Sequence, residues 1–72
     1  MEKLYLIQNN KIQKSLNLTM NPNVRKARAL DILKIKYIFN LEISGKQLTQ
    51  LYINGILQIS DITLQFGKHE HG

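Results

Sequence analysis

The first third of the chain alternates apolar and polar residues on either side of a short polar turn sequence. An apolar run at 4–7 precedes Asn9 and Asn10, and apolar residues then occupy most even positions from 12 to 20. Asparagine tolerates positive φ better than other non-glycine residues, so this pattern predicts an N-terminal β-hairpin that turns at Asn9-Asn10. Lys14 interrupts the apolar face of the second strand, which indicates an edge strand or an incompletely covered sheet.

A helix is predicted next, over residues 22–33. The sequence Asn21-Pro22-Asn23 is a start signal, because asparagine caps helices and proline suits the first helical position. The basic residues of this segment lie largely off its apolar stripe, as in a helix with one buried face. The apolar residues at helical spacing are Val24, Ala27, Leu30 and Leu33.

The spacing of apolar residues changes from residue 35 onward. Every second position is now apolar, with Lys36, Asn40 and Glu42 among the intervening residues. A helix cannot hold five such positions on one face, whereas a strand does, so the pattern predicts a strand over 35–43 that ends at Ser44-Gly45. The alternating residues are Ile35, Tyr37, Phe39, Leu41 and Ile43.

The last third of the chain contains Asn54-Gly55, the strongest two-residue hairpin signal. Apolar segments at 47–53 and 56–59 flank it, which favours a second hairpin. Alternation then continues through Ile62, Leu64 and Phe66, and extends the final strand as far as Gly67.

Two helical alternatives stay open for the same segment. Residues 46–53 and 57–66 also suit a helix pair, since Leu48, Leu51 and Tyr52 fit helical spacing. A helix-turn-helix over 47–62 would place Gly55 in its turn, as that motif often does. Its second helix would carry an aspartate and no basic residue, which equips it badly for phosphate contact.

Together these elements predict an α+β, β-rich fold: an N-terminal β-hairpin, one α-helix and a three-strand antiparallel meander, as a small sheet or barrel. A chain of 72 residues holds one small domain, predicted over 1–67, with 68–72 as a flexible polar tail. A monomer with so small a core and no disulfide bonds is expected to be only marginally stable. This favours a homo-oligomer or a subunit of a larger complex.

Positive charge is concentrated in one segment of the chain. The net charge is +5 overall and +6 within residues 11–36. Such a field attracts phosphate backbones or an acidic protein surface, although a small protein also carries charge simply to stay soluble. The candidate phosphate-binding residues are Lys11, Arg25, Lys26, Arg28, Lys34 and Lys36.

These cations are expected to line one basic surface, because Arg25 and Arg28 are three apart on the predicted helix and Lys34 and Lys36 share a face of the predicted strand. Mixed arginine and lysine suits backbone contact more than base reading. Aromatic residues on strands also supply stacking platforms for unpaired bases, although most must belong to the core. The pattern therefore favours RNA or single-stranded DNA over a duplex.

Residues suited to catalysis are few. Cysteine is absent, both histidines lie at His69 and His71 in the predicted tail, and no acid–base pair is visible, so no enzyme, cofactor or metal site is expected. No apolar run approaches the roughly 20 residues of a membrane span. The N-terminus lacks a secretory signal pattern, which predicts a cytoplasmic or organelle-interior protein that is not secreted.

Three functional hypotheses follow. The first is a small non-catalytic nucleic-acid-associated module that binds phosphates of RNA or single strands. The second is a protein-interaction or structural subunit of a larger complex or phage particle, whose sheet edge or apolar face is completed by a partner. The third is a helix-turn-helix DNA-binding regulator.

Overall fold

The computed structural model describes residues 2–18 and 28–67, which form a four-stranded antiparallel sheet with two helices on one of its faces. The strands are ordered β2-β1-β4-β3, so the sheet is open and β2 and β3 are its edges. The elements are β1 (Glu2–Gln8), β2 (Lys11–Leu18), α1 (Ala29–Phe39), α2 (Gly45–Asn54), β3 (Ile56–Ile59) and β4 (Ile62–Gly67). The predicted tail at 68–72 lies outside the described residues.

The N-terminal hairpin is confirmed. Asn9 and Asn10 join β1 to β2 with φ angles of 56° and 61°, the left-handed pair that a two-residue hairpin turn requires. Lys14 pairs with Leu6 on the face that the helices cover, and its ammonium donates a hydrogen bond to the Ile38 carbonyl at 3.4 Å. The interruption at Lys14 therefore marks an edge strand whose lysine reaches the C-terminal end of α1.

The middle of the chain departs from the prediction. The helix is Ala29–Phe39 rather than 22–33, and residues 22–27 lie outside the described part. The strand predicted over 35–43 is wrong, because its first half belongs to α1 and its second half is an irregular connection. Apolar residues surround α1 on nearly every side, so its sequence satisfies both spacings. Asn40 ends the helix in the left-handed conformation, with φ of 53°.

The hairpin predicted at Asn54-Gly55 is also wrong, because this dipeptide ends α2. The helix begins at a capping box. The backbone N–H of Gln47 donates to Ser44 Oγ at 3.1 Å, and the backbone N–H of Ser44 donates to Gln47 Oε1 at 2.9 Å. At the other end Gly55 is left-handed, with φ of 79°, and its amide donates to the Leu51 carbonyl at 2.7 Å. Glycine at this position is a typical helix stop.

The remaining segment folds into the hairpin of β3 and β4. Its turn is Ser60-Asp61, where Ser60 has a positive φ of 57°. The helix-pair alternative is therefore correct for 46–53 and wrong for 57–66, and residues 47–62 do not form a helix-turn-helix. Within the described residues the fold is α+β and sheet-rich as predicted, and of the two predicted forms the small sheet is correct and the barrel is wrong. Two helices are present instead of one, and the C-terminal strands form a two-strand hairpin instead of the predicted three-strand meander.

The core lies between the sheet and the two helices. The other face of the sheet carries a mixture of polar and apolar side chains, as antiparallel sheets with one solvated face do. No helix in the described residues is long and apolar enough to cross a membrane. The buried apolar residues are Leu4, Leu6, Leu16, Leu18, Ile35, Phe39, Ile43, Leu48, Leu51, Tyr52 and Leu64.

Gly55→Ala is expected to lower the free energy of unfolding by about 1–2 kcal/mol, because alanine is strained in the left-handed conformation. The cost is conformational alone, since an added Cβ meets no heavy atom within 4 Å. Gly55→Asn is the matched control and should cost less, because asparagine adopts this conformation more readily. Urea denaturation followed by circular dichroism measures both, and an equal loss in the two variants would contradict the assignment.

Candidate interaction surface

Helix α1 is anchored to the core through one face. Ile35 and Phe39 are buried, and Asp31, one turn before Ile35, is fully buried as well. The Asp31 carboxylate accepts hydrogen bonds from the Tyr52 hydroxyl at 2.5 Å and from Nε and Nη2 of Arg28 at 3.0 and 3.2 Å. A buried carboxylate is tolerated only when its oxygens are paired in this way. The network therefore ties the first turn of α1 to α2.

The same network holds its donors in their protonated forms. Burial, followed by the hydrogen bond to Asp31, raises the pKa of Tyr52 above its ordinary value near 10. The hydrogen bond and the charge of Asp31 raise the pKa of Arg28 further. Neither donor releases a proton near neutral pH, so the arrangement suits a structural bridge rather than acid–base chemistry.

The opposite side of α1 carries an exposed apolar row, here called the α1 seam: Leu30, Leu33 and Tyr37. Their exposed fractions are 59%, 60% and 89%. Residues at i, i+3 and i+7 lie on one face of a helix, so the three side chains form a continuous stripe. Single exposed apolar residues are common, but a helix that is apolar on both sides is normally covered on both.

Lysines border the α1 seam on both flanks. When Leu30 and Leu33 are assigned the a and d positions of a heptad, Tyr37 is the next a, Lys34 is e and Lys36 is g. The Lys36 ammonium lies 3.6 Å from a carboxylate oxygen of Glu42, whose side chain is 91% exposed. Exposed ion pairs of this kind contribute little stability.

The structure rearranges the predicted cationic site. Lys34 and Lys36 are two residues apart on a helix and so lie on opposite flanks of the seam, not on a shared strand face. Arg28 lies at the N-terminal end of α1, bound to Asp31. Lys11 lies beside the hairpin turn, three residues from the Lys14 that contacts the other end of α1. The four described cations thus lie beside the hairpin turn, at the N-terminal end of α1 and on the two flanks of the seam, and Arg25 and Lys26 lie outside the described residues.

The predicted aromatic platforms are also dispersed. Phe39 and Tyr52 are buried, and the centroids of the Phe66 and Tyr52 rings are 6.0 Å apart. Tyr5 lies on the open face of the sheet over Gly67, where its ring fills the space that a Cβ would need. Only Tyr37 is largely exposed among the described aromatic residues, and it belongs to the seam.

Sequence reasoning missed the seam although its spacing was present. The spacing predicts Leu30 and Leu33 on the buried stripe of a helix and Tyr37 on a strand, whereas all three are exposed on α1. The sequence patterns predict no structural role for Asp31. The buried and exposed faces of α1 are distinguished by the hydrogen bond between Asp31 and Tyr52. Because Tyr52 lies in α2, 21 residues away, the local sequence does not show this contact.

No group of three or more histidine, cysteine, aspartate or glutamate residues is placed to hold a metal ion within the described ranges. His69 and His71 lie outside these ranges.

Tyr52→Phe is expected to lower the free energy of unfolding at neutral pH by about 1–3 kcal/mol, because Asp31 then remains buried with one donor fewer. Tyr37→Phe is the matched control; its hydroxyl belongs to an exposed side chain, and the change should stay within about 0.5 kcal/mol. Urea denaturation of the two variants measures the difference, and equal effects would contradict a supporting role for the Tyr52 hydroxyl.

The stabilising effect of Tyr52 is expected to decline at alkaline pH. Since its folded pKa is raised above the unfolded value near 10, its contribution is complete below pH 10 and is lost as the pH rises toward the folded pKa. The difference in stability between wild type and Tyr52→Phe should shrink above pH 10, by up to about 1.4 kcal/mol per pH unit. A constant difference across this range would show that the pKa is not raised.

Comparison with protein-family models, with curated protein sequences and with solved structures gives no significant match to this chain. Its function is therefore inferred from the chemistry and placement of its own residues.

Proposed function

We propose that this chain is a non-catalytic protein-interaction subunit that binds its partner through the outer side of α1. The observation that carries this proposal is the α1 seam: Leu30, Leu33 and Tyr37 are exposed in one row, directly opposite the face that packs on the core. This function corresponds to the second hypothesis drawn from the sequence, with an apolar helix face as the surface that a partner completes.

The composition of the seam suits association. Fully burying a leucine contributes about 1.5–3 kcal/mol, and Leu30 and Leu33 each still expose more than half of their surface. Tyr37 adds a large side chain of the type that often dominates interface energies. None of the three brings a charge that would have to be desolvated.

The sheet edges are less suitable for a partner. The register of β2 shifts opposite Leu6 and Ile7, and Lys14 points to the covered face, two features that discourage strand addition. The other edge strand, β3, has only four residues. Ile12 and Ile56 are exposed, but they lie on opposite edge strands, with β1 and β4 between them.

Photo-crosslinking tests this proposal. A benzophenone amino acid at position 37 should give one discrete adduct in extract from the native cells, with the partner identified by mass spectrometry. Leu33→Gln should remove the adduct, because it makes the centre of the seam polar. Ile53→Gln changes an exposed isoleucine on α2 and should leave the adduct intact. No adduct, or one that persists in Leu33→Gln, would refute binding through the seam.

Nucleic-acid binding is the second candidate, favoured by the net charge of +6 within residues 11–36. Lys11 and Lys34 form no ion pair with another described residue and are free to contact phosphate. Arg28 is less suitable as a ligand, since it holds the buried Asp31.

Arg25→Gln with Lys26→Gln tests this second candidate and leaves Arg28 and Asp31 themselves unchanged. If both residues contact phosphate, the slope of log affinity against log salt for a uridine RNA should become shallower by about 1.4. Lys3→Gln with Lys46→Gln gives the same charge change outside the basic segment and serves as the control. Fluorescence anisotropy measures both variants. Equal slopes in the two would show that the basic segment contributes only through the net charge of the protein.

A further inference from the structure

We propose that the partner presents an acidic amphipathic α-helix, which pairs with the α1 seam in the manner of a short coiled coil, and that the partner is not a second copy of this chain. This inference rests on the proposed interaction function of α1 and adds the chemical class of the partner.

The spacing of the seam favours a helix as its occupant. Leu30, Leu33 and Tyr37 follow the a-d-a order of a heptad, so they are separated along the helix axis by about 4.5 and 6 Å. A facing helix presents apolar residues at the same intervals. The residues on one face of a strand recur instead at about 6.6–6.8 Å, which does not match. The seam covers two helical turns.

The charges that border the seam favour an acidic partner. The e and g positions of a coiled coil set partner choice through ion pairs between helices, and here they are Lys34 and Lys36. A helix with glutamate at its own e and g positions would pair with both lysines. Apolar residues in the a and d positions would pack on the seam at the same time.

A second copy of this chain is a poor match in either orientation. In an antiparallel pair, e faces e and g faces g, so lysine would face lysine. In a parallel pair, Lys34 would face Ala29 and Lys36 would face Leu41. Neither arrangement supplies a carboxylate to these lysines.

Glu42 provides an independent indication that the g position accepts a carboxylate. Its side chain reaches back from the loop after α1 to Lys36, at 3.6 Å, although it is otherwise almost fully exposed. A partner glutamate would take the same place and displace it. Glu42→Gln should therefore tighten binding of an acidic helix about twofold, because Lys36 then has no internal competitor.

The test uses three labelled synthetic peptides of 21 residues and the whole 72-residue chain. One has leucine at a and d and glutamate at e and g; the second has lysine at e and g; the third has the acidic composition in scrambled order. Fluorescence anisotropy should show saturable binding of the acidic heptad peptide, at least about tenfold tighter than either other peptide, and weakening with salt. Leu33→Gln should remove this binding and Ile53→Gln should not.

A charge exchange guards against loss of folding. Lys34→Glu with Lys36→Glu should weaken binding of the acidic peptide about tenfold and create binding of the basic peptide. An unfolded protein would not show this exchange of preference. Lys11→Glu with Lys46→Glu makes the same change in net charge away from the seam. This control should keep the original preference.

Several outcomes would overturn the inference. They are equal binding of the acidic and scrambled peptides, an effect of Lys11→Glu with Lys46→Glu as large as that of the seam pair, or a dimer in light scattering that Leu33→Gln dissolves. Leu33-dependent binding to phosphatidylserine vesicles or uridine RNA, without peptide binding, would also overturn it. If position 37 crosslinks to a partner while the acidic peptide fails to bind, the interaction function stands and the acidic helix is refuted.

Discussion

The buried carboxylate of Asp31 sets the orientation of α1, on which the exposed surface of the molecule depends. Its hydrogen bonds to Tyr52 and Arg28 hold the first turn of the helix against α2. Because helical residues rotate together, Asp31 facing inward turns Ile35 inward and Tyr37 outward. Apolar residues lie on nearly every side of α1, so they do not by themselves select the buried face. The paired carboxylate of Asp31 lies on the buried side, and Leu30, Leu33 and Tyr37 stay exposed.

The same constraint changes the meaning of the positive charge. Arg28 neutralises Asp31, Lys14 hydrogen-bonds the C-terminal end of α1, and Lys36 lies beside Glu42. Several cations of the basic segment thus have structural roles or border an apolar surface. In the proposed interaction, the lysines beside the seam would select the partner by charge, and the apolar residues would supply most of the association energy.

Local patterns predicted the structure where one local interaction dominates. The Asn9-Asn10 hairpin formed as expected, because few residues other than asparagine accept two successive left-handed conformations. Asn40 at the end of α1 and the Ser44/Gln47 capping box at the start of α2 are equally local helix signals. The alternating apolar residues around them instead predict a strand over 35–43 that ends at Ser44-Gly45. Gly55 has the left-handed conformation that occurs both in hairpin turns and at helix C-termini. The residues next to it in the sequence fit either structure, so the local pattern does not distinguish them.

The sequence by itself determined a small α+β chain with an N-terminal hairpin, an edge strand or incompletely covered sheet at Lys14, and a strongly basic middle segment. Those features depend on residue type and on near neighbours along the chain. Only the tertiary structure decided that 35–39 is helical, that two helices cover one face of an open sheet, and that the α1 seam faces outward. These outcomes depend on the contact of Asp31 with Tyr52, 21 residues away, and on packing that local apolar spacing does not encode.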